Sequence, residues 1–136
     1  MDDTLAFALE GIDHVALAVL DVPASVRWFE DVLGLKRWHQ DAWGDSPAVV
    51  GAGTTALALF RVQSDAPEPP PGRHVLAMRH IAFRADAENF ARAQRDLAKR
   101  KILFTFQDHG ISHSIYFRDP NGHEIEITTY ELKKGV

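Results

Sequence analysis

The chain carries one short sequence twice, and this repeat limits the folds that it can adopt. Residues 12–17 read Ile-Asp-His-Val-Ala-Leu, and residues 78–83 read Met-Arg-His-Ile-Ala-Phe. Each copy is apolar enough for a buried strand and is followed by a segment whose apolar residues recur at helical spacing. Such self-similarity is typical of a domain that is built from two copies of one structural unit. We therefore expect two similar modules within the chain.

The composition is that of an ordinary globular domain. With 136 residues, of which 46% are hydrophobic, the chain can bury a core, and we expect one domain over residues 1–136. The formal charge of -4 and the lack of a long basic block argue against nucleic acid as a partner. The apolar run Val15 to Leu20 is too short for a membrane span, and the acidic start is unlike a secretory signal, so we expect a cytoplasmic protein. Because there is no cysteine, a metal would need nitrogen and oxygen ligands.

Each module is expected to have the order strand, helix, strand, strand, strand. Module one covers about residues 10–63, a Pro-rich linker covers about residues 64–74, and module two covers about residues 75–132. Helical periodicity and the turn-forming Gly, Asp and Pro residues divide the modules further. The expected strands are residues 12–20, 35–42, 46–51, 55–62, 76–84, 102–107, 112–118 and 123–130, and the expected helices are residues 23–33 and 87–100.

Three polar side chains are expected on strand faces that point away from the helices. Strand side chains alternate between faces, so Val15 and Leu17 should lie under a helix and His14 on the opposite face. The same alternation places His80 and Glu126 on the open face of module two. Two imidazoles and one carboxylate are a ligand set that leaves coordination positions of a metal ion vacant. The sequence therefore predicts a metal site.

These segments resemble the vicinal oxygen chelate superfamily, which includes glyoxalase I, extradiol dioxygenases, fosfomycin-resistance proteins and bleomycin-binding proteins. The resemblance lies in His14, residues 28–35, His80, and residues 116–122 with Glu126. It implies an α+β fold, in which two βαβββ modules form a curved mixed sheet that encloses a metal-binding cup. It also implies that the two histidines and the glutamate bind a divalent metal ion. Fe(II) or Mn(II) is favoured, and Zn(II) or Ni(II) is an alternative.

The resemblance leaves the reaction open, and one position narrows it. Glyoxalase I and methylmalonyl-CoA epimerase, another member of the superfamily, look to have a fourth protein ligand where this chain has Ala58, which cannot ligate. Three protein ligands are closer to the pattern of extradiol dioxygenases and fosfomycin transferases. The segment from His109 to Glu126 is similar to the dioxygenase signature, although Gln107 departs from it. An extradiol-type dioxygenase is therefore expected first, with His109 as general acid/base and Tyr116 hydrogen-bonded to a metal-bound oxygen.

The expected substrate is a small molecule with adjacent oxygen atoms. Arg84 and Ser114 share the polar strand face of module two, and Phe60 offers an aromatic surface in module one, so we predict that these three residues contact the substrate. Trp38, Trp43 and Phe106 are further candidates for stacking against a flat ligand.

Three other functions and two assemblies stay open. A glyoxalase-type lyase or isomerase would use a carboxylate as base, with Glu124 as a candidate. A thiol transferase of the fosfomycin-resistance type fits three ligands, although no cluster of Lys and Arg for a phosphonate is evident. A metal-free protein of the bleomycin-binding kind would sequester a flat aromatic compound. The resemblance also implies a homodimer, in which the cup forms within one chain or by exchange of modules between chains.

Overall fold

The computed structural model describes residues 6–132 and divides the chain into two compact units, Met1–Ser64 and Asp65–Val136. Each unit contains one four-stranded mixed sheet with a long helix, so the α+β fold of two modules is confirmed. No helix within residues 6–132 is long and apolar enough to cross a membrane.

Module one contains four strands and two helices. Its strand order is β1-β4-β3-β2, with β1 parallel to β4 and the other neighbours antiparallel. The elements are β1 (His14–Val19), α1 (Val22–Leu33), β2 (Lys36–Trp38), α2 (Gln40–Trp43), β3 (Ala48–Ala52) and β4 (Thr55–Arg61).

Local sequence explains where α1 begins and ends. The Asp21 carboxylate caps the helix by accepting from the Ala24 N–H at 3.0 Å, and a proline occupies the first turn. Gly34 ends the helix in the left-handed conformation, with φ at 67°, which a residue without Cβ adopts at little cost. Val26 and Phe29 are buried on the face that packs against β3 and β4. The helix therefore covers one side of the sheet.

Module two repeats this arrangement. Its strand order is β5-β8-β7-β6, again with one parallel pair, β5 and β8. The Asp86 side chain caps α3 by accepting from the Asn89 N–H at 2.8 Å, and Phe90 and Leu97 are buried. The elements are β5 (Ile81–Arg84), α3 (Ala87–Lys99), β6 (Thr105–Asp108), β7 (His113–Arg118) and β8 (Glu124–Thr129).

The strand registers show that the two modules are built alike, residue by residue. Ala16 is opposite Ala58 in module one, and Ala82 is opposite Glu126 in module two. Leu59 and Ile127 are the buried residues that follow. Ala58 in module one and Glu126 in module two therefore occupy equivalent positions, as comparison of the two repeat copies predicts.

Three predicted strands differ from the observed ones by three residues or more at one end. The strand predicted over residues 35–42 ends at Trp38, because His39 has a left-handed backbone with φ of 59° and α2 follows. The strand predicted over residues 76–84 begins at Ile81, which is the first residue that pairs with β8, opposite Ile125. The strand predicted over residues 102–107 is β6, which begins three residues later and runs to Asp108. His80 thus lies directly before its strand, not within it.

Candidate metal centre

In module two, the side chains of His80 and Glu126 lie next to each other. The parallel register of β5 and β8 places Ala82 opposite Glu126 and, continued by one residue, His80 opposite Glu124, so the His80 side chain reaches Glu126 diagonally. His80 Nε2 is 2.9 Å from Glu126 Oε1, whereas His80 Nδ1 is 3.9 Å from Glu124 Oε2. The structure therefore brings two of the three predicted ligands together, and Glu126 is the nearer of the two candidate carboxylates.

The donor atoms of this pair fit a divalent metal ion. Two donors that each lie about 2.1 Å from one ion, at a right angle, are about 3.0 Å apart, which is close to the observed 2.9 Å. An imidazole nitrogen with a carboxylate oxygen suits Mn, Fe and Zn alike. Within residues 6–132, no three His, Asp or Glu side chains form a group that could hold a metal ion. Module two by itself thus supplies a pair of donors.

Ser114 holds the other oxygen of the Glu126 carboxylate. The serine is fully buried on β7, and its hydroxyl donates to Glu126 Oε2 at 2.6 Å and lies 3.0 Å from Thr128 Oγ1. A buried carboxylate is costly unless its oxygens are hydrogen-bonded. The serine hydroxyl satisfies Oε2 and leaves Oε1 facing His80. Ser114, which we predicted to contact substrate, therefore orients the Glu126 carboxylate in this structure.

Tyr116 and His109, the two predicted catalytic residues, are in direct contact. Tyr116 is opposite Glu126 in the β7–β8 register, and its hydroxyl lies 2.9 Å from His109 Nε2. The Tyr116 ring is also edge-on to His80, with ring centres 5.8 Å apart. Burial raises the pKa of the Tyr116 hydroxyl, and the nearby Glu126 carboxylate raises it further. The hydroxyl is therefore protonated at neutral pH and can donate a hydrogen bond.

In module one, His14 is paired with a neighbouring carboxylate. Its Nδ1 is 2.9 Å from Asp13 Oδ2 at the start of β1, and both side chains are solvent-accessible. Metal-binding histidines commonly make such a contact with one ring nitrogen, which orients the ring and leaves the other nitrogen for the metal. The contact with Asp13 uses Nδ1, so Nε2 is the ring nitrogen of His14 that can bind a metal ion.

The other two predicted substrate contacts have different surroundings. Phe60 lies near the end of β4 and is 46% exposed. Arg84 lies on β5, opposite Thr128 of β8. Its guanidinium carbon is 5.0 Å from the centre of the Tyr130 ring. Phe60 thus offers an apolar surface, and Arg84 offers a positive charge that is held over an aromatic ring.

The predicted stacking residue Phe106 faces the helix side of module two. It is opposite the fully buried Ile115, and its ring contacts those of Phe90 and His113 at centre distances of 6.4 and 5.1 Å. The side chain therefore packs away from the face that carries Glu126, and the structure does not support its role in stacking against a ligand.

Sequence reasoning missed Asp13 and the supporting role of Ser114, which was predicted to contact the substrate instead. Asp13 precedes His14 in the chain, and an acidic neighbour of a candidate ligand histidine is a signal that could have identified it. The bond from Ser114 to Glu126 depends on the register between β7 and β8, which alternation alone does not fix. Asp13 contacts His14, and Ser114 contacts Glu126, so each of them orients a predicted ligand.

The fold and the paired donors agree with the family that the chain matches. The model of the family described as "Glyoxalase/Bleomycin resistance protein/Dioxygenase superfamily" matches residues 11–127. The chain belongs to this superfamily.

Individual relatives cover almost the whole chain. It is 30% identical over 128 residues to "Metallothiol transferase FosB" of Lysinibacillus sphaericus, covering 92% of this chain and 86% of the relative. It is 27% identical to "Glutathione transferase FosA" of Serratia marcescens, covering 88% and 80%. The crystal structure of a glyoxalase/dioxygenase from Nostoc punctiforme has a TM-score of 0.77 and 28% identity, covering 98% of this chain and 99% of that one.

Proposed function

We propose that the protein is a divalent-metal-dependent enzyme that transfers a thiol to a small molecule whose oxygen atoms bind the metal. The carrying observation is the His80–Glu126 donor pair, in a chain that is similar to transferases named for metal and thiol chemistry over nearly its full length. These relatives favour thiol transfer over the dioxygenase reaction that the C-terminal segment indicates.

His80 and Glu126 are the proposed ligands from module two, and His14 is the proposed ligand from module one. The ion would act as a Lewis acid on the bound oxygen atoms. Mn(II) or Fe(II) remains the favoured ion, with Zn(II) or Ni(II) as alternatives. A homodimer, with or without exchanged modules, remains the proposed assembly.

The remaining residues of the site are proposed to orient the Glu126 carboxylate and to supply a proton to the substrate. Ser114 holds one oxygen of Glu126, so that the carboxylate presents the other. The Tyr116 hydroxyl, kept protonated by burial, donates a hydrogen bond to a substrate oxygen where negative charge develops. His109, in contact with that hydroxyl, can replace the proton. Arg84 supplies a positive charge for an anionic group of the substrate.

Metal binding separates this proposal from metal-free sequestration. We expect one Mn(II) per chain by calorimetry, and loss of binding in His80→Ala. His113→Ala is the matched control, because both histidines are in module two and both side chains are 34% exposed. Equal Mn(II) binding by the two variants would remove His80 from the ligand set.

Thiol transfer is tested by the disappearance of free thiol. The Mn(II)-loaded protein is incubated with fosfomycin and either L-cysteine or glutathione, and the remaining thiol is titrated. Consumption that requires the metal and fails in His80→Ala supports thiol transfer to this acceptor. If neither thiol is consumed above the level of this variant, transfer to fosfomycin is excluded.

The contact between His109 and Tyr116 favours a second candidate, an extradiol-type dioxygenase. In that reaction His109 and Tyr116 would accept a proton from a catechol substrate and return it later, with Fe(II) as the metal ion. The test is oxygen uptake on a catechol panel after anaerobic loading with Fe(II). Uptake that is lost in His109→Ala supports this candidate, and no uptake with any catechol eliminates it.

A further inference from the structure

Module one contains an aromatic-walled pocket that begins at His14. Its volume is about 270 Å³. The apolar part is formed by Trp38, Trp43, Pro47, Val49, Ala56, Ala58 and Phe60, and the polar lining residues are Asp13, His14 and His39. A cavity of about 150 Å³ takes up one benzene molecule, so this pocket has room for one or two fused rings.

The pocket occupies the position in module one that the Glu126 site has in module two. The registers match Ala58 with Glu126 and Val49 with Tyr116. Continued by one residue, they match Pro47 with Ser114 and Phe60 with Thr128. Four polar positions of module two are therefore apolar in module one. Because Ala58 replaces a glutamate, the space that a carboxylate would fill is open.

The walls of the pocket are held in place by contacts within module one. The Trp38 ring packs on the backbone of Gly51, where an added Cβ would lie only 2.7 Å from ring atoms. The loop after Trp43 is tied to β2 by Arg37, whose Nη2 donates to Gly44 O at 2.9 Å and to Asp45 Oδ1 at 3.1 Å. A ligand therefore meets preformed aromatic walls and loses little free energy in ordering them.

We propose that this pocket binds a neutral, flat aromatic group of one or two rings, and that the substrate of the enzyme carries such a group beside its metal-binding oxygens. The inference rests on the proposed function only for the second part. The lining includes aromatic rings on which a flat group can stack. It contains no Lys or Arg, and its only acidic residue is Asp13, which lies in the same lining as the imidazoles of His14 and His39. The composition thus favours a neutral aromatic compound over an aliphatic phosphonate.

The test uses the metal-free full chain and 2-naphthol as the probe. The three tryptophan indole N–H signals are followed by ¹⁵N NMR and assigned with single Trp→Phe variants. We expect saturable shifts for Trp38 and Trp43 and none for Trp28, which lies on α1. Decahydro-2-naphthol, which has the same carbon skeleton and hydroxyl but is not flat, should bind more weakly.

A matched pair of variants locates the contact. Phe60→Ala should weaken 2-naphthol binding roughly two- to tenfold, the loss expected for one ring contact. Phe106→Ala should leave binding within twofold, because Phe106 is similarly exposed, 48% against 46%, and does not line the pocket. Equal effects of the two variants, or no saturable shift of Trp38 and Trp43, would overturn the proposal.

The two proposals can fail separately. Binding of 2-naphthol by a protein that consumes no thiol with aromatic or aliphatic acceptors supports the pocket and contradicts the proposed function. Thiol transfer by a protein whose indole signals do not respond to 2-naphthol supports the proposed function and contradicts the pocket.

Discussion

Ser114 offers a direct test of the proposal that module two prepares Glu126 to bind a metal ion. In Ser114→Ala, the hydroxyl that donates to Glu126 Oε2 at 2.6 Å is removed, and the buried oxygen loses its donor. A hydrogen bond to a charged group contributes about 1.5–3 kcal/mol to stability. Because Glu126 keeps its contact with His80, we expect the free energy of unfolding of the metal-free protein to fall by about 1.5–2 kcal/mol.

The same substitution should weaken metal binding. A carboxylate that is no longer held through one oxygen must be ordered when the ion binds, and loss of such a supporting contact typically lowers metal affinity about 10- to 100-fold. Urea unfolding measures the first effect, and calorimetry with Mn(II) measures the second. The two measurements are independent, so a merely structural role would change the first and leave the second unaffected.

Ser112→Ala is the control for this prediction. Ser112 is also buried, two residues away, and among the described contacts its hydroxyl has no bond to Glu126. We expect Ser112→Ala to lower the free energy of unfolding by less than about 1 kcal/mol, as for a substitution without a supporting role. This variant should bind Mn(II) as tightly as the parent protein does. If Ser114→Ala binds Mn(II) as tightly as Ser112→Ala, the hydroxyl does not orient the carboxylate, and our reasoning is refuted.

Three further substitutions test the fold around the two sites. Gly51→Ala forces the Trp38 ring to move, because the new Cβ would lie 2.7 Å from it; we expect a loss of about 1–3 kcal/mol in urea unfolding and weaker 2-naphthol binding. Asp86→Ala removes the cap on the Asn89 N–H and should lower stability by about 1 kcal/mol, with Mn(II) binding unchanged in calorimetry. Asp119→Ala deprives two backbone N–H groups of their buried acceptor and should lower the free energy of unfolding by about 2–3 kcal/mol. A lowered midpoint of urea unfolding would show this loss. An unchanged midpoint in any of the three variants contradicts the argument for that variant.

Alternation along strands was sufficient to predict much of the site. It separates Leu17 and Val19, which are buried, from the exposed His14 and Ala16 on β1. It works because a strand has only two faces and one of them is covered by a helix. The repeat then transfers the result from one module to the other, which is why the equivalence of Ala58 and Glu126 could be predicted before the registers were known.

The parts that sequence did not reveal depend on single backbone conformations and on side-chain contacts. His39 has a left-handed backbone, which few residues other than glycine adopt, so nothing in the local pattern predicted that β2 would end there. The roles of Asp13 and Ser114 depend on which atom of a neighbouring side chain each one reaches. Alternation gives the face on which a residue lies, but not its hydrogen-bond partner.

The difference between the two modules involves a group of positions, which makes it hard to reverse one residue at a time. Glu126 is buried in module two because Ser114 and His80 satisfy its oxygens. In module one the matching surroundings of Ala58 include Val49, which offers no donor. A glutamate placed at position 58 alone would bury a carboxylate without these partners, which costs several kcal/mol unless it is protonated. The residues that line the apolar pocket therefore also keep a fourth candidate ligand out of position 58.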